Sequence, residues 1–293
     1  MDLIIPTISQ GLLWSVMSIG VYLTFRVLDI ADLTVEGSFP LGGAVAAALL
    51  TAGYNPITAI LIACVAGMLS GVVTGFLHTK LKIPALLAGI LSMIALYSVN
   101  LRIMGKANLS LLQLDTIFTI FPIPLDNQMM VLLVGFVIVL VVGIINYWFF
   151  GTEIGAAIRA TGFNQHMIRA NGVNTNTTII LGLLMSNGLV AVSGALVAQS
   201  NGFADVGMGV GTIVIGLASV IIGEVLFGTK SFRNCLISVV LGSIVYRIVI
   251  AIVLQIGMPP NDLKLFTAVL VTLALSMPLF KAKLNDKRRR MAR

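Results

Sequence analysis

Long apolar stretches alternate with short polar ones along most of the chain. Nine stretches, at 4–25, 37–53, 56–77, 84–104, 129–150, 178–200, 211–228, 235–256 and 265–280, approach the length that a helix needs to cross a bilayer core. That length is about 20 residues for roughly 30 Å of hydrocarbon. Stretches 37–53 and 265–280 are the shortest of the set. The pattern predicts an all-α, polytopic membrane protein of about nine transmembrane helices. It divides the chain into a transmembrane domain, 1–280, holding a polar loop at 151–177, and a basic tail at 281–293. The first stretch is expected to be a retained helix and not a signal peptide. Asp2 is its only charge before Arg26, and no small-residue cleavage site follows.

Two polar intervals are rich in glycine and carry acids. Residues 29–43 read DIADLTVEGSFPLGG and residues 201–211 read NGFADVGMGVG. Glycine and proline interrupt helices, and inside a bilayer the freed backbone must be buried in protein or line a cavity. One interval lies at the inner end of its preceding span and the other at the outer end. Each is followed by three further spans, so the chain parses as four spans, a linking span and four spans reversed. Inverted repeats of this kind place a substrate path at the repeat interface. The plainer alternative is that both intervals are ordinary connecting loops. Within 56–77, Gly67, Gly71 and Gly75 recur every fourth residue, so one helix face is open to close approach by another backbone.

Composition narrows the class. The 293 residues are 58% hydrophobic and 10% charged, with a mean hydropathy of +1.05. A soluble domain carries roughly 25% charged residues, so a soluble enzyme, a disordered chain and a nucleic-acid binder are all excluded. Two cysteines, Cys64 and Cys235, lie in apolar runs and support neither a disulfide framework nor a metal site. Charge also sets the orientation, because cytoplasmic loops collect Lys and Arg. With the C-terminus inside and the N-terminus outside, the inner side holds Arg26, Lys80, Lys82, Arg159, Arg169, Lys230, Arg233 and the tail. The outer side holds only Arg102, Lys106 and Lys264. Most of the net charge of +7 sits in the tail KAKLNDKRRRMAR, which fixes topology and is suited to anionic lipid at about 1 kcal/mol per basic residue.

The longest polar stretch before the tail is GTEIGAAIRATGFNQHMIRANGVNTNTT, 151–178. Thr152 can cap a short helix that Gly162 ends, and Asn164 can cap a second helix, QHMIRA, that Gly172 ends. In the second helix Met167, Ile168 and Ala170 offer apolar surface beside Gln165, His166 and Arg169. Such a helix suits a groove on another protein; lying flat on the membrane surface is the alternative. The chain shows no catalytic constellation. The nearest approach to a phosphate-binding loop, Gly223 to Ser231, has one residue too many before its lysine and ends an apolar span. No catalytic residue and no metal site is expected, so energy for active transport has to come from a partner. The remaining candidates are polar groups in or beside the spans, which normally face a cavity or a partner. They are Asp32, Glu36, Asn100, Asn187, Glu224 and Arg247. Glu224 is the obvious counter-charge for Arg247, although counting residues separates them by about 12 Å in depth at 1.5 Å per residue. Asp32, Glu36 and Asp205 are the other acids within reach of consideration.

In the loop, the pattern G-x-x-x-R-A…N…A-x-G-[IV]-N, present as GAAIRATGFNQHMIRANGVN, resembles the cytoplasmic loop of permease subunits of bacterial ABC importers. The family is that of the branched-chain amino acid and ribose-type permeases. DIADLTVEGSFPLGG, LKIPALLAGILSM and LASVIIGEVLFGTKSFRNCLISVVLG resemble three further segments of that family, in the same order, from about residue 8 to 280. Family members usually have Gly where Glu224 stands. Among subgroups the chain looks most like permeases paired with binding proteins for tryptophan, tyrosine or similar amino acids. The resemblance implies a homodimer of permease subunits in the bacterial inner membrane. Two cytoplasmic ATPase subunits that hold ATP and Mg²⁺ would bind below, and an extracellular solute-binding protein above. It implies that Asn164 to Ala170 form the coupling helix, with Gly155, Arg159, Gly172 and Asn174 completing the loop motif. No cofactor and no nucleic acid is expected on this chain. An ion-gradient-driven secondary transporter, cycling a membrane acid such as Glu224 or Glu36, is the competing reading.

Overall fold

A computed structural model describes residues 4–120 and 126–257, together with 259, 262, 265–269, 272 and 276. Its elements follow the apolar pattern closely. In chain order they are α1 (Ile4–Tyr22) with a π-helical turn (Leu23–Val27), α2 (Val35–Thr51), α3 (Pro56–Thr79), α4 (Ala85–Met104), β1 (Asn108–Ser110) and α5 (Asn127–Gly151). Then come α6 (Glu153–Phe163), α7 (Gln165–Ala170), α8 (Thr175–Asn201), β2 (Phe203–Asp205), a 3-10 turn (Val206–Gly209), α9 (Thr212–Phe227) and α10 (Phe232–Gln255). Among the described residues 7 helical segments are long and apolar enough to cross a membrane, and α2 is a shorter apolar helix. Together they account for the first eight predicted spans. The ninth, 265–280, and the basic tail, 281–293, lie largely or wholly outside the described residues.

Helix ends carry the expected chemistry. Asn55 caps α3 by accepting from the Ile57 N–H, with Pro56 as the first helical residue. Asn174 caps α8, and Gly202 ends it in the left-handed region at φ 75°. That conformation is nearly free of cost only for glycine. The first glycine-rich break is shorter than its sequence suggested. Pro40, Gly42 and Gly43 lie inside α2, so the first break is confined to residues 28–34. Asp32 starts the new helix by accepting from the Thr34 N–H at 2.9 Å. Asp205 does the same in the second break, accepting from the Gly207 N–H at 2.7 Å. An aspartate that bonds the backbone two residues on mimics a turn and competes with helix continuation.

Packing relates the two halves. α1 lies against α10 as α8 lies against α3, α2 packs on α8 as α9 packs on α1, and α2–α3 and α9–α10 are adjacent pairs. Exchanging α1, α2 and α3 with α8, α9 and α10 therefore leaves the set of neighbours unchanged. The contacts are close because small residues face backbone. Side chains on Gly67 and Gly71 would collide with the carbonyls of Asn187 and Leu183, and one on Gly75 would press on Ile180. Hydroxyls stitch the other face of the same layer. Ser186 donates to the Gly20 carbonyl, Ser193 to that of Leu13, and Ser243 to that of Gly11. The outward faces of α3, α4 and α5 expose Leu61, Leu69, Leu91, Ile94, Phe136 and Ile144. An all-apolar outer face suits hydrocarbon and not water. A two-stranded antiparallel ribbon, Asn108–Ser110 with Phe203–Asp205, ties the α4–α5 connection to the second break. Nothing in the hydrophobic pattern announced it.

Candidate functional site

The first break does not stay at the end of α1. It turns back along the protein interior, so that α2 begins beside the middle of α8. Asp32 is 2% exposed, and its carboxylate accepts from the Asn187 amide at 2.8 Å. Asn187, near the centre of α8, accepts in turn from the Ser38 hydroxyl at 2.6 Å. Ser38 also bonds Ser70 on α3 at 2.8 Å. A second chain of hydroxyls runs Thr34, Thr74, Ser92 across α2, α3 and α4, with separations of 2.8 and 2.7 Å. Asp32 and Asn187, two of the predicted polar candidates, thus meet in one buried network. Ser38, Ser70, Thr34, Thr74 and Ser92 belong to it equally, and as small hydroxyls in apolar helices they carried no sequence signal.

The second break also turns back, and it touches the start of α2 directly after the first break. Glu36, in the first turn of α2, accepts from the Gly211 N–H at 3.0 Å, directly before α9 begins. Gly209 faces the Glu36 carbonyl and the Pro40 ring so closely that any side chain there would collide with them. Met208 covers Gly43 at the same crossing. Two helix N-termini therefore converge at the boundary between the halves, with an acidic side chain at the positive end of α9. Asn100, from α4, donates to the Gly37 carbonyl at 3.2 Å, while its own amide oxygen is buried without a partner.

The expected pairing of Arg247 with Glu224 does not form. Glu224 is bonded to Arg26 at the end of α1, with Arg26 Nε at 3.0 Å from Oε1. The difference in depth, legible from residue counting, keeps Glu224 at the end of the bundle and Arg247 inside it. None of Asp32, Glu36 and Asp205 hydrogen-bonds Arg247 either. Asp205 instead accepts from Asn108 across the ribbon at 3.3 Å. Arg247 lies over the Trp14 ring, its guanidinium carbon 4.1 Å from the ring centre, and Trp14 rests against Phe39 with centroids 4.9 Å apart.

The loop between α5 and α8 folds as two short helices. Thr152 accepts from the Gly155 N–H and opens α6; Asn164 accepts from the His166 and Met167 N–H groups, both at 3.0 Å, and opens α7. Gly172 follows α7 at φ 81°. Gly162 does not end α6, which runs on to Phe163. Its missing side chain instead makes room for the Val27 carbonyl at the end of the π-helical turn. Gly155 likewise gives way to the backbone of Phe149 and Phe150. Arg159 reaches over Phe232 at the start of α10, 5.7 Å from its centre, and Arg169 donates to Thr175 at 2.6 Å. The apolar surface differs from expectation. Ile168 is buried against its own chain, and Phe163, at 89% exposed, joins Met167 outside. Among the described residues no group of three or more potential ligands could hold a metal ion.

The family model for branched-chain amino acid transport system permease components matches residues 3–275. The chain belongs to this family. The permease is 40% identical over 291 residues to a tyrosine transport system permease protein of Clostridioides difficile, covering 97% of this chain and 96% of that one. It is 35% identical to an uncharacterized protein of Rickettsia prowazekii, covering 94% and 98%. More distantly it is 26% identical to the ribose import permease protein of Escherichia coli, covering 62% of this chain and 56% of that one. No solved structure matches the permease. It is a multi-pass membrane permease component of an importer of the ABC type, in keeping with the loop motif and the apolar helices.

Proposed function

We propose that two copies of the permease form the path for an amino acid or similar small polar solute across the bacterial inner membrane. Two cytoplasmic ATPase subunits, holding ATP and Mg²⁺, drive alternating access, and an extracellular binding protein delivers solute. The N-terminus lies outside, the C-terminus inside, and the basic tail rests on anionic lipid. The tyrosine permease among the relatives favours an aromatic amino acid as the solute. In this reading α7 is the coupling helix, with Phe163, Met167, Gln165, His166 and Arg169 directed at the ATPase. Asp32, Glu36, Asn100, Asn187, Glu224 and Arg247 lie along or beside the path. The ATPase, and no residue of this chain, carries out hydrolysis.

The observation that carries the reading is the seating of the loop. α6 and α7 are not loosely tethered. Gly162 is pressed on Val27, and Thr161 bonds Thr178 on α8 at 2.8 Å. A push on α7 is thereby delivered to the inner ends of α1 and α8, one from each half. Such a connection transmits in both directions, as reciprocal coupling between solute and nucleotide sites requires. The test is the Arg169→Glu variant in the complete transporter. It should lower co-purification of the ATPase and abolish ATP-dependent uptake. Unchanged ATPase binding and uptake would remove α7 from the coupling role. Uptake by the permease alone in liposomes, driven by an ion gradient without ATP, would replace the whole reading with a secondary transporter.

A further inference from the structure

Among the described residues Arg247 finds no hydrogen-bond acceptor, which a charged group in the bilayer interior requires. It sits well inside α10, its Nε is buried with no hydrogen-bond partner, and no described residue accepts a hydrogen bond from it. The acids that could have neutralised it are engaged elsewhere: Glu224 by Arg26, Asp32 by Asn187 and Thr34, Asp205 by Asn108 and Gly207, and Glu36 with Gly211. The Trp14 ring covers one face of the guanidinium. A cation–π contact of this kind stabilises the charge but uses none of the five N–H donors, which lie in the plane of the group. Arg247 as a whole is half-buried, with its Nε inside the protein. Its backing is rigid, because Trp14 rests on the fully buried Phe39 of α2. α2 is the helix whose first turn meets the second break.

We propose that Arg247 and Trp14 form a solute site that takes the carboxylate of the transported amino acid in a two-pronged hydrogen bond. This rests on the reading of the permease as the solute path. A planar fork of donors matches the two oxygens of a carboxylate, a match that a hydroxyl or an amine does not offer. The acid that no described residue offers Arg247 is supplied by the passing solute. The site selects α-amino acids and other organic acids against their decarboxylated analogues.

Trp14 is also the reporter. The chain has 2 tryptophans, and Trp148 is 70% exposed on the outer face of α5, so Trp148→Phe leaves Trp14 as the single emitter. The full-length variant in lipid nanodiscs is titrated with L-tyrosine and with tyramine, which lacks only the carboxylate, exciting beyond tyrosine absorption. A saturable change in Trp14 emission is expected with tyrosine, and at least about tenfold weaker binding with tyramine, since a site built for a hydrogen-bonding group rejects the analogue without it. Arg247→Lys should weaken the response and Arg247→Met abolish it, with both variants monodisperse. An equal response to tyramine overturns the proposal, as does a response that survives Arg247→Met. Absence of any response to L-tyrosine, L-leucine and L-glutamate also overturns it. Dissociation of a permease dimer by Arg247→Met, with no response in the parent, would assign Arg247 to a carboxylate of the second copy instead. The titration needs no ATPase, so its failure is distinct from failure of ATP-dependent uptake.

Discussion

Asn187 uses both ends of its amide on the start of α2, donating to Asp32 before the helix and accepting from Ser38 within it. Removing such a hub leaves buried groups without partners, each costing about 1–3 kcal/mol. Asn187→Ala should therefore lower the thermal midpoint of the purified permease more than Ser70→Ala does, because Ser70 is one of two partners of Ser38. A midpoint equal to that of Ser70→Ala would show the network to be slack. Glycine positions offer a second residue-scale expectation. Gly42 faces the Ala191 backbone with no space for a side chain. Gly42→Leu should force α2 and α8 apart at a cost of about 1–3 kcal/mol or more. The same change at Gly143, which has open space around it, should be almost silent in a midpoint measurement.

Among the elements, α7 owes its start to one side chain. Asn164 satisfies two N–H groups of a helix only 6 residues long. Loss of a cap costs about 1 kcal/mol, which is large for a helix too short to be stable alone. Asn164→Ala should speed amide exchange across 165–170 and reduce ATP-dependent uptake, while Asn164→Asp, which keeps the acceptor, should retain most of both. Equal exchange in the two variants would mean that packing of Ile168, not the cap, holds the element. The capped starts of α6 and α7 were legible because capping is a local matter between residues two or three apart. Which face α7 turns outward was not. Met167, Ile168 and Ala170 look equivalent in sequence, and burial of Ile168 depends on how α6 lies against α8. The exposure of Phe163, next to the cap, was hidden for the same reason.

On the scale of the whole molecule, the ends of the bundle carry the orientation. Arg26, Arg159, Gly162 and Glu224 gather at one end, where α6 meets the turn after α1 and the start of α10, and α9 meets Arg26. The ribbon of β1 and β2 gathers residues of the other end. With Cys64 and Cys235 replaced by Ala, a single cysteine at Lys82 should be protected from a membrane-impermeant maleimide in intact cells. One at Lys106 should react. Reaction at Lys82 and protection at Lys106 would invert the topology and place the loop helices outside, away from any cytoplasmic ATPase.

The sequence by itself determined the spans, the sidedness expectation and the two loop helices. Hydrophobicity over about 20 residues, charge between spans and capping are all properties of neighbours in the chain. It also located the breaks, since Asp32 and Asp205 act on backbone two residues away. Only the tertiary structure decided where those breaks lead. Residues 28–34 and 202–211 run back into the protein, and the second meets the start of α2 directly after the first, with Glu36 on Gly211. Packing of α1 against α9 and α10 gave Glu224 to Arg26 and left Arg247 against Trp14. Charge pairing depends on depth and rotation in three dimensions, and hydropathy along one dimension contains neither.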